Sequence, residues 1–420
     1  MTGGMLQIAA YGAQDVYLTS NPQITYFKTV YRRHTNFAIE SIEQQFNSLN
    51  NIDFGRQAYS TIERRGDLVT NAVLEITLPA LNQTQGSPSA TYVNWVNGIG
   101  NAIIKDAFVK IGGYTVEKYN NEWLDISSQF NVPTDKRDAY DEMVGYRYVD
   151  ASLKSMSNVE RTFYIPLKFW FTTPGLALPM IALMYHDVEV HLEFSALADM
   201  IKSDVALSAP VDTSAATAAI SSCKLYVDYI YLDVDERRRF AQISHEYLIE
   251  QVQVMNAENI AAATTTKKVE IFFNHPVKAL HWVVSNDTYT TRGSTGNNNK
   301  QFLYEASNSI ELKDTFSTAK LTINGMDRFS ERKAGYFRLV QPYQYYKKCP
   351  AKHIYTYSFA IKPDEHQPSG TCNFSMLDNA KMSMTFNATN HTGSASKIKF
   401  FAVNYNVLRI MNGMAGVVYA

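Results

Sequence analysis

The sequence predicts an all-β protein of two tandem antiparallel sandwiches with a few short helices, and three observations carry this. Strand formers abound, with 27 Tyr and 22 Phe in 420 residues, and aromatic side chains fit the pleated, half-buried surface of a strand. Four strand-like motifs recur in the same order in the two halves of the chain. No rhythm of strand, long helix and strand interrupts them, which argues for antiparallel sheets rather than a parallel one.

Taken in chain order, the first element is a helix over residues 22–31. Asn21 supplies its cap and Pro22 its first turn. Ile24, Phe27 and Tyr31 fall on one side of it, suited to packing beneath the first sandwich. Next, "DLVTNAVLEITLPAL" from Asp67 is answered by "NHPVKALHWVVSND" from Asn274, each a strand that begins after a polar turn. "FVKIGGYTV" sets Gly112 and Gly113 at a hairpin turn, and "KLTINGMDR" sets Asn324 and Gly325 in the same place. A helix over 134–144 is stopped by Gly145. "FYIPLKFWFTTPGLALPMIALMYHDVEVHLEF", ending at Phe194, and "IYTYSFAIKPDEHQPSGTCNFSMLDNAKMSMTF", ending at Phe386, each lead from a strand through a Pro/Gly loop into an alternating strand. "KLYVDYIYLD" from Lys224 parallels "KFFAVNYNVL" from Lys399, with a linker helix over 235–243 between the halves.

These correspondences read as a tandem duplication of one β domain. Within the sandwich class, about eight strands with long loops at one end suit a jelly roll, whose two packed sheets leave few edges. The expected organisation is an N-terminal arm over 1–24, a first jelly roll over 25–235, and a linker helix with a second jelly roll over 236–420.

Bulk properties exclude several function classes. The formal net charge is -1, so no global field holds a polyanion and a nucleic-acid role needs a local patch. Lys28, Arg32, Arg33 and His34, interleaved with aromatic rings, are the obvious one. Cys223, Cys349 and Cys372 are too few and scattered for a disulfide framework or a four-ligand zinc site, so a reducing compartment is expected. The N-terminus lacks the pattern of a signal peptide, and Thr2 does not fit myristoylation. The longest apolar run, 176–185, is broken by Pro179 and has about half the length a membrane span needs. A soluble chain made in the cytosol is expected.

Sites of chemistry read as ordinary structure. "YHDVEVHLEF" gathers His186, Asp187, Glu189, His191 and Glu193. In a strand, however, Asp187, Glu189, His191 and Glu193 share one face and Val188, Val190, Leu192 and Phe194 the other, the alternation of solvent and core. A cupin-type enzyme wants closely paired histidines, and no His-x-His occurs. Gly98 and Gly100 begin a dinucleotide fingerprint that Ile103 breaks, so a turn before a strand is expected there. No nucleophile elbow or phosphate-binding loop is present; no catalytic residue, metal or cofactor is expected. Arg237, Arg238 and Arg239 follow Asp233, Asp235 and Glu236, and suit ion pairs within the chain or with a neighbour. Of five Asn-x-Ser/Thr triplets, at Asn82, Asn286, Asn373, Asn387 and Asn390, those at Asn82 and Asn286 fall in loop-like sequence where a glycan fits.

Long words of the sequence carry a family resemblance. "LTSNPQITYFKTVYRRHTNFAIE", "IPLKFWFTTPGLALPMIALMYHDVEVHLEF", "YLDVDERRRFAQISHEYLIEQVQ", "FFNHPVKALHWVV", "QPSGTCNFSMLDNA" and "YNVLRIMNGMAGVVYA" resemble the major capsid protein of nucleocytoplasmic large DNA viruses, the group that includes phycodnaviruses and iridoviruses. The resemblance implies a double jelly-roll subunit that forms a homotrimer, a pseudo-hexagonal capsomer tiling the icosahedral shell of a large double-stranded DNA virus. It implies an outer-capsid location in the virion after synthesis and assembly in host cytoplasm. The implied partners are copies of itself, neighbouring capsomers, and minor capsid and penton proteins, with an internal membrane between shell and genome. On that reading Lys28, Arg32 and Arg33, with Arg237, Arg238 and Arg239, are assembly contacts toward subunits, minor proteins or membrane headgroups, and no direct nucleic-acid contact is expected. The alternative is a non-capsid jelly-roll module, such as a glycan-binding or receptor-binding virion protein, with a sugar pocket in loops such as 289–300.

Overall fold

The computed structural model describes residues 2–47, 52–81, 93–203, 218–290, 299–305, 314–386 and 395–419. The chain divides into Met1–Asn36 and Phe37–Ala420. The first unit is an arm with helices Gly3–Ala9 and Val16–Thr19 and no buried side chain among its described residues. The helix expected over 22–31 is absent: this stretch is irregular, and Asn21 takes a left-handed φ of 50°. Ile24, Phe27 and Tyr31 are exposed rather than packed. A ten-residue helix is marginal in water unless its apolar face is buried, so a sound cap signal does not suffice here.

Among the described residues of the second unit, sixteen strands form two sets of eight, with a few shorter strands beside them. In the first roll they are β1 (Phe37–Gln44), β2 (Gln57–Thr61), β3 (Leu68–Leu78), β4 (Ile104–Ile111), β5 (Tyr114–Asn120), β6 (Arg161–Leu167), β7 (Val188–Phe194) and β8 (Ser222–Leu232). In the second they are β9 (His245–Val254), β10 (Thr266–Glu270), β11 (Pro276–Asn286), β12 (Thr318–Ile323), β13 (Met326–Asp327), β14 (Tyr355–Ser358), β15 (Ala380–Thr385) and β16 (Ser396–Met411). The first roll pairs β1-β8-β3-β6 in one sheet and β2-β7-β4-β5 in the other; the second pairs β9-β16-β11-β14 and β10-β15-β12-β13. Every strand of one roll has its counterpart eight strands later, and all these pairings are antiparallel. This is the double jelly roll.

Turn chemistry fixes the hairpins. Gly112-Gly113 between β4 and β5 has φ of 56° and 85°, and Asn324-Gly325 between β12 and β13 has 47° and 79°. Two successive positive φ angles are what the twist-matched two-residue hairpin needs, and Gly and Asn tolerate them. Asn412-Gly413 repeats the device between β16 and a last strand, β17 (Met414–Val417). The linker helix runs over Val234–Gln242, and the helix before Gly145 begins with a 3-10 turn Thr134–Lys136 and continues over Arg137–Val144. Directly before β4, Gly98 (φ 69°) starts a short helix Ile99–Ile103 where only a turn was expected. A further helix, Asn121–Asn131, follows β5, and its buried mix of apolar and polar residues shows no clean amphipathic stripe in the sequence.

Each roll has its own core. Leu74, Val190 and Leu225 meet inside the first; Leu280, Trp282, Met382 and Phe400 meet inside the second. The first core does not end at the first roll, because Ile249, Val283, Phe401 and Val403, from the outer face of the β9-β16-β11-β14 sheet, join it. Shared burial of this kind makes the rolls one cooperative unit. Phe401→Ala should therefore cost about 3–5 kcal/mol and shift a single urea transition, followed by tryptophan fluorescence, without splitting it.

Candidate assembly surfaces

The junction between the rolls is built on helix Asn121–Asn131. Asn120 accepts a hydrogen bond from the Trp123 N–H at 3.0 Å, capping the helix, and Glu122 sits in its first turn. Trp123 stacks on Phe401 of β16 with ring centroids 5.7 Å apart and meets His281 of β11 edge-on at 5.6 Å. Phe130 packs on His281 and Tyr346 at 5.0 and 4.7 Å. Around these rings Lys399 donates to both carboxylate oxygens of Glu122 at 2.7 Å, and Lys352 donates to both of Asp125 at 2.6 and 2.7 Å. Lys348 donates to the Val132 carbonyl at 2.9 Å. The Lys352 ammonium also lies over the rings of Tyr146 and Phe302, at 5.0 and 5.2 Å.

Burial sets the electrostatics here. It pushes the Lys352 ammonium below its ordinary range, with the Asp125 carboxylate opposing the shift. It lowers the His281 imidazole to about 3, helped by the Lys278 charge, so the ring is neutral in the folded protein. Glu117 accepts from the Trp170 N–H at 3.0 Å, yet burial, and to a lesser degree the Glu250 charge, hold its carboxyl well above the usual range. A cleft of 650 Å³ beside the junction is lined by Lys105, Lys397 and Lys399. Each of these lysines is paired, with Glu193, Asp287 and Glu122 respectively.

The same surfaces look different where no second roll lies against them. From Val277 to Val284, β11 is buried at every residue, because one face meets its own core and the other meets the first roll. Its counterpart β3 alternates, leaving Asn71 exposed and Val73, Glu75 and Thr77 half-buried. Edge strand β1 exposes Phe37 and Ile39. The second roll's counterpart of helix Asn121–Asn131, a π-helical turn Tyr336–Val340 running into Gln341–Tyr345, exposes Leu339, Val340 and Tyr343. The junction completed on the second roll thus has no equivalent within the chain on the outer face of the first.

Comparison with known proteins agrees with this architecture. A family model described as major capsid protein N-terminus matches residues 25–233, and one described as large eukaryotic DNA virus major capsid protein matches residues 236–416. The chain is 42% identical over 445 residues to a major capsid protein of Pyramimonas orientalis virus, with all of both chains covered. It is 37% identical over 469 residues to that of Paramecium bursaria Chlorella virus 1, again with all of both covered. The chain belongs to the major capsid protein family of large eukaryotic DNA viruses. The solved VP54 of PBCV-1 superposes with a TM-score of 0.78 at 35% identity, covering 94% of this chain and 100% of that one. The Faustovirus major capsid protein superposes at 0.73 over 96% of this chain and 94% of its own, at 13% identity, a likeness of fold alone.

Membership of the capsid family gives the chain a structural role, and the residues singled out in the sequence can be placed against it. Lys28, Arg32 and Arg33 are exposed on the arm and form no ion pair among the described residues. Arg237 is held within the chain, its Nε 2.9 Å from Asp67, whereas Arg238 and Arg239 are exposed without such a pair among the described residues. His191 stacks between Tyr59 and Phe108, at 5.2 and 4.8 Å, and its Nε2 lies 2.8 Å from Glu189. Asp187 pairs with Arg64 and Glu193 with Lys105, while Val188, Val190, Leu192 and Phe194 are buried, as strand alternation predicts; His191, expected on the solvent face, is buried as well because the rings of Tyr59 and Phe108 cover it. No group of three or more metal-ligating side chains occurs among the described residues. Asn82 lies outside the described residues, as does most of loop 289–300. Asn286 is not in an open loop: it ends β11, is buried, and pairs with Ser396, which leaves no room for a glycan.

The residues that build the junction were missed from sequence. Asn120 as a cap, with Trp123, Ile126 and Phe130 at near-helical spacing behind it, was the available signal. Lys352→Met should destabilise the fold by about 3–5 kcal/mol because it strands Asp125 in the interior, and Asp125→Leu added to it should recover part of that loss in the same urea titration. His281 titrates below its unfolded value, so the unfolded chain binds its proton first as pH falls through about 6.5. Its contribution to stability is therefore complete above that pH and declines as pH falls toward about 3. In His281→Gln, the drop in melting temperature between pH 7 and pH 4.5 should be smaller than in the unaltered protein.

Proposed function

We propose that three copies of this chain close into a homotrimeric, pseudo-hexagonal capsomer that tiles the icosahedral capsid of a large double-stranded DNA virus, a building role without catalysis. The single observation that carries this is the inequality of the two equivalent sheets. The outer face of β9-β16-β11-β14 is covered by the first roll, and the outer face of β1-β8-β3-β6 is bare. Covering the bare sheet with the exposed Leu339, Val340 and Tyr343 of a second copy repeats, between chains, the contact made within one. Such a contact is head-to-tail, and it closes when the rotation per chain is one third of a turn. Six similar rolls then surround one axis, and the tile can meet six neighbours.

Obligate interfaces bury on the order of 2,000 Å² or more, and the trimer contact is expected in that class. Contacts between capsomers are expected to be smaller, so that misplaced units dissociate. Minor capsid and penton proteins are the further partners on this reading, with Arg238 and Arg239 among the cations available to them. Measurement of mass in solution with negative-stain imaging tests the proposal: three chains in a six-cornered outline are expected. Leu339→Asp with Tyr343→Asp should give folded monomers. A unaltered chain that stays monomeric while saturably binding a glycan would favour the lectin-like alternative.

A further inference from the structure

We propose that the N-terminal arm of one copy docks as a short helix on the second roll of a neighbouring copy, at the turn Phe374–Met376, in the place that the linker helix takes on the first roll. The inference rests on the trimeric reading above and adds an occupant and a site to it.

The two sites are equivalent by register. Leu178 and Pro179 pair with Val69 and Leu68 of β3, and Cys372 and Asn373 pair with Val277 and Pro276 of β11. Each short strand runs directly into a 3-10 turn, Met180–Ala182 in one roll and Phe374–Met376 in the other. Each turn is tied to the carbonyl just before its central strand: Ile181 N–H donates to Asp67 and Phe374 N–H to His275, both at 3.1 Å. On the first roll, helix Val234–Gln242 packs on this turn, Arg237 reaches Asp67 at 2.9 Å, and Met180 and Ala182 are buried. On the second roll the matching surface is open. Met376, the counterpart of Ala182, is 77% exposed, and nearby Phe272 is 74% exposed beside a 280 Å³ groove.

Chain order names the occupant. The linker helix leads into β9 as the arm leads into β1. Phe37 lies opposite Leu232 and Leu248 opposite Val407, and these are matching places in the two rolls. Counting back equally from Phe37 and Leu248 sets the linker helix over arm residues 23–31. That stretch follows the helix-start pair Asn21-Pro22 and carries the one-sided apolar set Ile24, Phe27 and Tyr31, whose side chains are exposed. In the trimer the roll before a first roll is a neighbour's second roll, just as the first roll precedes the second within the chain. Charge agrees: the arm bears Lys28, Arg32 and Arg33 against one acid, Asp15, while exposed Asp378 lines the groove, beside Glu270 in its pair with Lys381. Packing on Phe272 and Met376 supplies the apolar burial that a helix this short lacks alone.

Zero-length carbodiimide crosslinking of the full-length trimer tests this. Lys28 should join Asp378 or Glu270 in bands of two and three chains on a denaturing gel, identified by peptide mass. Met376→Asp, which sets a charge against the apolar face, should cut that yield by about tenfold while the mass in solution remains that of a trimer; Phe27→Asp should do the same. Trimers whose Lys28 crosslinks elsewhere, or whose crosslink ignores Met376→Asp, overturn the inference and leave the capsomer intact. A chain that never trimerises overturns the capsomer reading itself, and this inference with it.

Discussion

The packing of Trp123 and Phe130 against Phe401 and His281 is the contact on which the remaining architecture depends. Duplication alone yields two sandwiches on a string, free to take any mutual angle. Aromatic rings seated between ion pairs remove that freedom, because Glu122 must meet Lys399 and Asp125 must meet Lys352 at hydrogen-bond distance. A buried pair such as Asp125 with Lys352 is a weak source of net stability, since desolvation offsets its attraction. What it supplies is a steep penalty for any arrangement that leaves one charge alone. The angle between rolls is thereby fixed, and with it the direction in which the open surfaces of the chain face.

Much of this fold was legible in the sequence because its signals are local. Period-two alternation in "DVEVHLEF" marked Val188, Val190, Leu192 and Phe194 as core, missing only that His191 on the other face is buried between rings, and Gly112-Gly113 and Asn324-Gly325 marked hairpins whose backbone angles few other residues accept. The tandem repeat followed from such words recurring in order, and the sheets bear it out strand by strand. Signals that depend on tertiary partners failed. Helix Asn121–Asn131 is buried on several sides, so it mixes Trp123 and Leu124 with Asp125, Ser127 and Ser128 and shows no clean stripe. Residues 22–31 show the opposite case, a clean stripe and a good cap on a stretch that is irregular.

One contrast was visible and could not have been interpreted. "VKALHWVV" in β11 is apolar nearly throughout, while "VTNAVLEIT" in β3 alternates with polar residues. A continuous apolar strand signals burial on both faces, but sequence does not say what supplies the second cover. For β11 it is the first roll of the same chain. Equivalent strands differ accordingly: β11 is covered on both faces within the chain, and β3 on one.

That divergence has a physical logic on the proposed reading. A junction made within one chain forms at a high effective concentration, so it tolerates costly buried ions such as Asp125 and Lys352 in exchange for a fixed angle. A junction between chains must first exist as two water-exposed halves on a folded monomer, and large apolar patches there invite misassociation. Spreading the open half over a few side chains, Leu339, Val340 and Tyr343 on one side and Phe37 and Ile39 on the other, keeps each patch small. Association then gains its strength only when several such patches engage together around a closed ring, which a single misplaced copy cannot achieve. The near-repeat of two rolls is therefore useful because it is imperfect: one junction stores geometry, and its twin stays open until the right neighbour arrives.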